Sequence, residues 1–328
     1  MEQKPMEQKL TEQKLPGRLT ARELTAEEKL RLICGKGFWN TEDLDGKVRN
    51  VTVSDGPVGL RKVETDADGK EYDRPSLAYP SMQSLANTWS RECAAQMGEC
   101  LADDCREAGV DILLGPGVNI KRHPLNGRNF EYLSEDPYLA GTLGREYIRG
   151  LQEQGTGACL KHFCCNNLEY NRFEQSSEVD ERTLREIYYR PFEIACEAKP
   201  ISAMSSYNRV NGVYAVENEK GLRVLREEFG FDGAVFSDWD SVHDRARSAA
   251  AGVDVEMPFH EGHYEKLKKD YEAGCLTEEA LNACAQRVLD LAWRARELSQ
   301  RAPKAVKRSP RQRYETSRRI ARESMVLL

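Results

Sequence analysis

The 328-residue sequence lacks any run of apolar residues long enough to cross a bilayer. A membrane-spanning helix needs about 20 such residues, and the most apolar runs here have only the length of a strand. The first fifteen residues repeat Glu-Gln-Lys and lack the apolar centre of a secretory signal. We therefore expect a soluble, cytoplasmic protein without membrane contact, and we interpret residues 1–15 as a disordered, low-complexity tail.

An excess of basic charge is also missing. Acidic side chains number 54 against 48 basic ones, and the formal net charge is -6. Binding to a phosphate backbone requires a concentrated basic face, so we expect no nucleic-acid partner. The composition, with 40% hydrophobic and 8% aromatic residues, also excludes disordered and collagen-like chains.

The cysteines lack the spacing of a metal or disulfide framework. No two of the ten have the two-residue gap of a zinc knuckle, and metal ligation rarely uses an adjacent pair such as Cys164–Cys165. Disulfide frameworks are typical of short secreted chains, whereas these cysteines are spread over helix-like and strand-like runs. We expect reduced thiols in the core of a cytosolic protein and no bound metal.

Signatures of nucleotide binding and of serine hydrolases are absent as well. The segment Gly115-Pro116-Gly117 contains a proline and opens into a long polar loop, which makes it a poor cradle for phosphate. Neither a Walker motif nor a Gly-x-Ser-x-Gly elbow occurs. We expect no cofactor, and a barrel enzyme that acts on a phosphorylated sugar is disfavoured for the same reason.

The sequence does contain short apolar runs, each followed by a longer amphipathic segment. Thr25 with Glu28 predicts the capping box of an early helix, and Thr277 predicts the start of a late one. This alternation predicts an α/β fold, and the length of residues 16–300 suits a (β/α)8 TIM-like barrel, irregular at its first strands, better than an open sheet. The predicted strands are 51–53, 110–114, 157–160, 201–204, 234–236 and 252–255.

Polar and charged residues follow these runs. Because the carboxyl ends of all barrel strands open on one face, such residues converge on one pocket. They could also simply mark where strands end, but charged side chains carry a desolvation cost at a barrel mouth, which favours a functional site. The clusters include Ser54-Asp55-Gly56, Asn119 to Arg128, Lys161-His162, Ser206-Tyr207-Asn208, Ser237-Asp238-Trp239 and Glu256-Met257.

Asp238 is the strongest single candidate, because an apolar strand delivers it beside Trp239. A carboxylate next to an indole suits attack on the anomeric carbon of a sugar. Taken alone, capping of the next helix explains Asp238 equally well. The surrounding residues favour the site, because Asp55 offers acceptors while Lys161-His162, Arg128 and Arg172 offer donors, a combination that matches a polyol. We expect the cationic neighbours to keep the pKa of Asp238 low.

Together these sequence segments resemble the N-terminal barrel domain of glycoside hydrolase family 3, the β-glucosidase group. The resemblance covers roughly residues 30 to 260 in several ordered motifs. The matching pieces are Ser54 to Arg61, Gly127 to Pro137, Lys161-His162-Phe163, Asn166 to Arg172, Met204 to Asn208 and Gly230 to Trp239.

The resemblance implies a retaining, exo-acting β-glucosidase whose substrate is a β-glucoside or a short β-linked oligosaccharide. It makes Asp238 the nucleophile, places Tyr207 beside it and makes Trp239 part of the sugar platform. It implies that the hydroxyls of the terminal sugar are held by Asp55, Arg128, Lys161, His162 and Arg172. The alternatives are a truncated or vestigial sugar-binding module, and a β-xylosidase or other β-glycosidase of the same family.

A retaining mechanism needs a second carboxyl roughly 5 to 5.5 Å from the first, protonated at rest. Glu131, Glu169 and Glu256 are candidates, and none has a decisive sequence signal. Two-domain members of the resembling family take this acid from a following domain, whereas single-domain members use a His in a Gly-His-Gly context, which residues 163–169 lack.

The end of the chain favours the two-domain arrangement. Residues 301–322 carry nine basic side chains and one acidic one, and an apolar segment follows them. We interpret residues 301–328 as a basic linker toward an absent α/β sandwich domain, which would be supplied in cis or in trans. The basic run could equally be a solvated helix face or a surface that contacts that domain.

Overall fold

The structure, a computed structural model, describes residues 18–66, 68–301 and 307–327. The predicted tail at residues 1–15 lies outside the described residues. The strands are β1 (Gly35–Lys36), β2 (Asn40–Thr41), β3 (Val53–Ser54), β4 (Val63–Thr65), β5 (Glu71–Asp73), β6 (Ile112–Leu113), β7 (Gly157–Phe163), β8 (Ser176–Ser177), β9 (Ser202–Ser205), β10 (Arg209–Val210), β11 (Val213–Tyr214) and β12 (Ala234–Phe236).

Helices separate most of the strands. Two π-helical segments, Leu184–Tyr189 and Val224–Glu228, continue α5 and α7, and 3₁₀ turns cover Ala21–Glu23, Asn129–Glu131 and Ala215–Glu217. The α-helices are α1 (Ala26–Leu32), α2 (Met82–Asn87), α3 (Arg91–Glu107), α4 (Pro137–Glu153), α5 (Glu181–Thr183), α6 (Arg190–Cys196), α7 (Glu219–Arg223), α8 (Arg245–Ala251), α9 (Glu261–Glu272), α10 (Glu278–Arg301) and α11 (Pro310–Glu323).

A curled parallel sheet forms the centre of the fold. Its five strands pair in the order β12-β9-β7-β6-β3, each parallel to its neighbour. Single bridges continue the curl, from Phe236 to Val255, from Glu256 to Cys34, and through the antiparallel hairpin β1–β2 to Thr52. This arrangement confirms the predicted TIM-like α/β barrel and its irregular first strands.

The predicted strand positions hold for five of the six runs. The exception is the run at 252–255, where the structure has only bridging residues and no strand of its own. Val255 pairs with Phe236, and the next residue, Glu256, pairs with Cys34. The segment therefore makes a single bridge to each neighbour. The capping box at Thr25 is confirmed, since its side chain accepts from the Glu28 amide and that of Glu28 accepts from the Thr25 amide.

Alternate residues of the central strands pack into two separate clusters. Ile112, Cys159 and Phe236 pack with residues of α1 and α10, whereas Leu113 and Leu160 pack with residues of α3 and α4. A strand with period two presents successive side chains to opposite faces. All residues of β7 are buried, as expected of a parallel strand covered on both sides.

The cysteines are free, as predicted. Nine of the ten are buried, and Cys275 is exposed. Within the residues that the structure describes, no helix is both long and apolar enough to span a membrane.

Part of the predicted basic linker is a helix docked on the barrel. Helix α11 lies against α2 and α3 and buries Ile320 completely. Arg313, also buried, donates to Glu107 at 2.8 Å and lies 3.3 Å from Asp104. The basic side chains of this segment therefore include some that hold the helix to the acidic face of α3.

This docking predicts a measurable contribution of α11 to stability. Replacing Ile320→Ala should destabilise the fold by about 2–5 kcal/mol, because the removed methylene groups leave a cavity in a packed interior. Thermal denaturation followed by circular dichroism measures the effect. Tyr314→Ala, on the exposed side of the same helix, is the matched control, and equal melting temperatures for both variants would contradict the docking.

Candidate active site

A cavity of about 640 Å³ opens where the central strands end. Because the strands are parallel, residues that follow β3, β7, β9 and β12 reach the same cavity from distant parts of the sequence. It brings together seven of the eight residues predicted to form the site, namely Asp55, Arg128, Lys161, Arg172, Tyr207, Asp238 and Trp239.

Asp238 lies two residues beyond β12 and is 6% exposed. Its Oδ1 accepts a hydrogen bond from the backbone N–H of Trp239 at 2.8 Å. Its Oδ2 is buried and, among the described residues, has no hydrogen-bond donor. The cap of the next helix, α8, is Asp244 rather than Asp238. A buried carboxylate oxygen without a donor is costly, so its presence in a cavity indicates a functional rather than a structural role.

The pKa of Asp238 reflects two opposing causes. Burial raises it above the ordinary value of 3.8, while the charges of Arg128 and Lys161 lower it. The Trp239 amide and the Tyr207 hydroxyl also lower it. The sequence-based expectation of a low pKa was therefore wrong in direction, because burial outweighs the cationic neighbours.

Glu131 connects the cations of the site. It pairs with Arg128, and its Oε2 lies 3.4 Å from Lys161 Nζ. Lys161 Nζ in turn lies 3.8 Å from Asp55 Oδ1. Burial opposes the ionisation of Glu131, but Lys161 and Arg128 lower its pKa below the ordinary value. Glu131 is thus an ionised partner of both cations, which does not suit an acid that must be protonated at rest.

The other two acid candidates also lie away from the cavity lining. Glu169 accepts from Arg172 at 3.0 Å, and Glu256 is buried against His263. The Arg172 guanidinium lies 4.2 Å from the centre of the Tyr207 ring. Burial and the charge of Asp238 raise the pKa of Tyr207, so its hydroxyl keeps its proton.

His162 is the one predicted residue that does not line the cavity. It is fully buried, and its Nε2 lies 2.7 Å from Arg128 Nη2 and 3.5 Å from Asp238 Oδ2. Its Nδ1 lies 3.0 Å from the hydroxyl of Tyr132, which accepts from Asn166 at 2.8 Å. Burial, and then the charge of Arg128, lower the pKa of His162 well below 6.5. The neutral ring accepts from Arg128 at Nε2 and therefore carries its proton on Nδ1.

An aromatic cluster, Phe38 with Trp39 and Trp239, forms part of the cavity wall. The rings of Trp39 and Trp239 lie 5.4 Å apart, and the Trp239 indole N–H donates to the Phe38 carbonyl at 3.1 Å. The sequence alone does not distinguish a site role for the Phe38–Trp39 pair from barrel capping, which is the commoner role of such a pair. Their contact with Trp239, two hundred residues later in the chain, has no local sequence signal.

The hairpin β4–β5 supplies cavity residues that the sequence analysis missed. Val63, Thr65 and Glu71 line the cavity, together with Arg61 just before the hairpin. Arg61 ends the matching segment Ser54 to Arg61, whereas Val63, Thr65 and Glu71 belong to no motif of the sequence. Within the described residues, no group of His, Cys, Asp and Glu side chains is arranged to hold a metal ion.

Comparison with known proteins adds the following. Residues 52–291 match the family described as glycosyl hydrolase family 3 N terminal domain. The thermostable beta-glucosidase B of Acetivibrio thermocellus is 42% identical over 313 residues, which cover 94% of this chain and 41% of that protein. An exo-alpha-(1->6)-L-arabinopyranosidase of Bifidobacterium longum is 41% identical over 286 residues, or 84% of this chain and 37% of that protein.

A solved structure is similar over the same extent. Beta-glucosidase 3B from Thermotoga neapolitana, in complex with alpha-D-glucose, superposes with a TM-score of 0.85 at 36% identity. The match covers 93% of this chain and 46% of that one. The chain thus spans less than half the length of each of these relatives.

The surroundings of His162 predict an imidazole that stays neutral. Long-range ¹H–¹⁵N NMR should show the proton on Nδ1 throughout about pH 5.5 to 8, whereas the same ring in the urea-unfolded chain should titrate near its ordinary value of about 6.5. Because protonation then favours the unfolded chain, the stability contributed by this group falls as the pH drops below about 6.5. Titration of His162 near pH 6.5 in the folded chain would contradict the neutral assignment.

Proposed function

Because this chain belongs to glycosyl hydrolase family 3, we propose that it carries the nucleophile and the glycone-binding residues of a retaining, exo-acting β-glucosidase. The observation that carries the proposal is Asp238 Oδ2, a buried carboxylate oxygen in a polar cavity that has no hydrogen-bond donor among the described residues. The family relationship and the glucosidase names of several relatives support the choice of substrate class.

In this proposal Asp238 Oδ2 attacks the anomeric carbon. A bond forms between that oxygen and the sugar while the bond to the leaving oxygen breaks, and the leaving oxygen takes a proton from an acid. Water then attacks the same carbon and gives a proton to the conjugate base of that acid, while the bond between the carbon and the Asp238 carboxylate breaks. The Trp239 amide holds Oδ1, which leaves Oδ2 directed at the substrate. Arg128 Nη1, 3.7 Å from Oδ2, favours the ionised form that the attack requires.

The glycone would be held by side chains whose geometry is fixed before it arrives. Arg128 and Lys161 are positioned by Glu131, and Arg172 is positioned by Glu169. Each cation retains donors beyond those that its carboxylate occupies. Asp55, with 42% of its side chain exposed, offers carboxylate oxygens to vicinal hydroxyls.

Three further residues would complete the glycone site. Tyr207 would favour the ionised form of Asp238 by lowering its pKa, and Trp239 would offer its ring to the sugar's C–H face. His162 would act from behind the cavity by fixing the Arg128 guanidinium. Preorganised groups of this kind lower a barrier because they need no rearrangement during the reaction.

The acid/base is proposed to come from a C-terminal α/β sandwich domain, in cis or in trans. The relatives are more than twice as long as the matched region, which leaves room for such a domain in them. Large apolar side chains on the loops after β6 and β7, Leu125, Phe130 and Tyr170, are between 53% and 85% exposed.

Two other functions remain open to the same test. One is a sugar-binding module with little turnover. The other is a glycosidase for a different glycone, because one relative is an arabinopyranosidase. A pentopyranose lacks the hydroxymethyl group of glucose, so the two glycones differ in size and in one hydrogen-bonding group.

Covalent labelling tests the nucleophile independently of the acid. A 2,4-dinitrophenyl 2-deoxy-2-fluoro-β-D-glucoside has a leaving group that needs little protonation. We expect intact-mass analysis of the chain to show one glycosyl adduct, and peptide mapping to place it on Asp238. Asp238→Asn should abolish it, because an amide is a poor nucleophile.

The same experiment separates the alternatives. Saturable glucose binding in a folded sample without any adduct would support the binding module and overturn the proposed nucleophile. Faster labelling by the corresponding arabinopyranoside would overturn glucose as the preferred glycone while leaving Asp238 as the nucleophile.

Tyr207→Phe should shift the pH dependence of labelling. Removing the hydroxyl removes a group that lowers the pKa of Asp238. Since labelling requires the carboxylate, the acid limb of the rate profile should move to higher pH. Phe173→Leu, which alters packing on the Tyr207 ring but leaves the hydroxyl, is the control. An acid limb unchanged in Tyr207→Phe would contradict the contact.

A further inference from the structure

We propose that the hairpin β4–β5 forms the aglycone wall of the cavity, and that Glu71 accepts hydrogen bonds there from the hydroxyls of a sugar aglycone. The inference rests on the proposed function, since it assigns the part of the substrate that leaves. It makes Glu71 a residue that determines specificity and gives it no part in bond breaking.

The pleat of the hairpin sorts its side chains into two faces. The cross-strand pairs are Val63 with Asp73 and Thr65 with Glu71, and the pair Glu64 with Tyr72 lies between them. Because successive side chains alternate, the first two pairs share one face and the third pair has the other. Three members of the first face, Val63, Thr65 and Glu71, line the cavity, so this face is the one turned toward it.

Contacts on both faces hold the hairpin in place, because Glu64 and Tyr72 lie on the outer face and Asp73 lies on the cavity face. Glu64 accepts from the Tyr72 hydroxyl at 2.9 Å and from Arg74 Nη1 at 2.9 Å. Arg61 Nε lies 3.4 Å from Asp73, and Arg61 also bridges to Asp55 through the backbone. The hairpin is therefore tied to the turn that carries a proposed glycone contact, which fixes its position relative to the nucleophile.

Glu71 is the hairpin carboxylate that lines the cavity, whereas Asp68, whose carboxylate likewise has no partner among the described residues, does not line it. Glu64 and Asp73 take part in the contacts above, and Asp66 accepts from the amides of Asp68 and Lys70. No hydrogen bond or ion pair involves the Glu71 carboxylate within the described part of the chain. Its oxygens are thus free to accept from a ligand in the cavity.

The cavity is larger than a single sugar requires. A hexose of about 12 heavy atoms needs less than about 360 Å³, even if each atom takes the ~30 Å³ that a water occupies in the liquid. The cavity measures about 640 Å³, and Asp55, Arg128, Lys161 and Asp238 occupy the part assigned to the glycone. The hairpin face adds a carboxylate, a hydroxyl and an apolar contact, which is the mixture that a polyol with C–H faces requires.

Aromatic aglycones should gain much less from this wall. A carboxylate accepts hydrogen bonds from hydroxyls, whereas a phenyl ring offers none and would leave Glu71 to water. The proposal therefore predicts a preference for sugar over aryl aglycones that depends on the charge of Glu71.

Binding measured by calorimetry on the 328-residue chain tests this preference without turnover. The probes are glucose, thiocellobiose, whose glycosidic sulfur resists cleavage, and phenyl 1-thio-β-glucoside. Glu71→Gln keeps the size of the side chain and removes its charge. We expect it to weaken thiocellobiose about 3- to 10-fold, because the amide keeps an acceptor oxygen but its hydrogen bond is about half as strong as that of a carboxylate. Binding of glucose and of the phenyl glucoside should change less than about twofold.

Asp68→Asn is the matched control, because it removes a carboxylate from the exposed turn of the same hairpin. It should leave all three affinities unchanged. Equal weakening of all three ligands by Glu71→Gln, or no weakening of thiocellobiose, would overturn the aglycone wall. Failure of the unaltered chain to bind glucose or to label Asp238 would instead overturn the proposed function.

Discussion

The buried pairing of Glu131 with Arg128 and Lys161 is the interaction on which the site depends. Isolated charges in a protein interior are costly, and these three are tolerated because each compensates another. Arg128 is further held by the neutral ring of His162. Arg128 Nη1 lies 3.7 Å from Asp238 Oδ2, and Lys161 Nζ lies 3.8 Å from Asp55 Oδ1. These distances are too long for hydrogen bonds but short enough for electrostatic attraction. The cavity therefore keeps unsatisfied acceptors and donors for a polar ligand.

The barrel makes this pairing possible because it brings separate strand ends together. Arg128 and Glu131 lie in the loop after β6, Lys161 lies within β7, and Asp238 follows β12. The interior below them is filled by alternate residues of the same strands, such as Ile112, Cys159 and Phe236. Because that packing fixes the strands, the charged groups above have few rotamers open to them. The rigid apolar core therefore fixes the positions of the polar side chains in the site.

Much of the fold and most of the site residues could be predicted from the sequence, because both leave local signals. Apolar runs marked the strands, and charged residues directly after them marked the cavity. The role of His162 left no such signal, since its burial behind Arg128 depends on how two loops stack. Glu71 of the hairpin and the Phe38–Trp39 pair could not be predicted for the same reason. The direction of the Asp238 pKa shift was missed because a list of charged neighbours contains no measure of burial.

The charge cluster also constrains where the acid of a retaining mechanism can lie. Glu131 shows the effect of the cations on a carboxyl in their midst: even with almost complete burial, its pKa falls below the ordinary value. A carboxyl that pairs directly with both Arg128 and Lys161, as Glu131 does, would be ionised in the same way, whereas the acid must hold its proton until the leaving oxygen needs it. We infer that the acid approaches from the open side of the cavity, away from these cations.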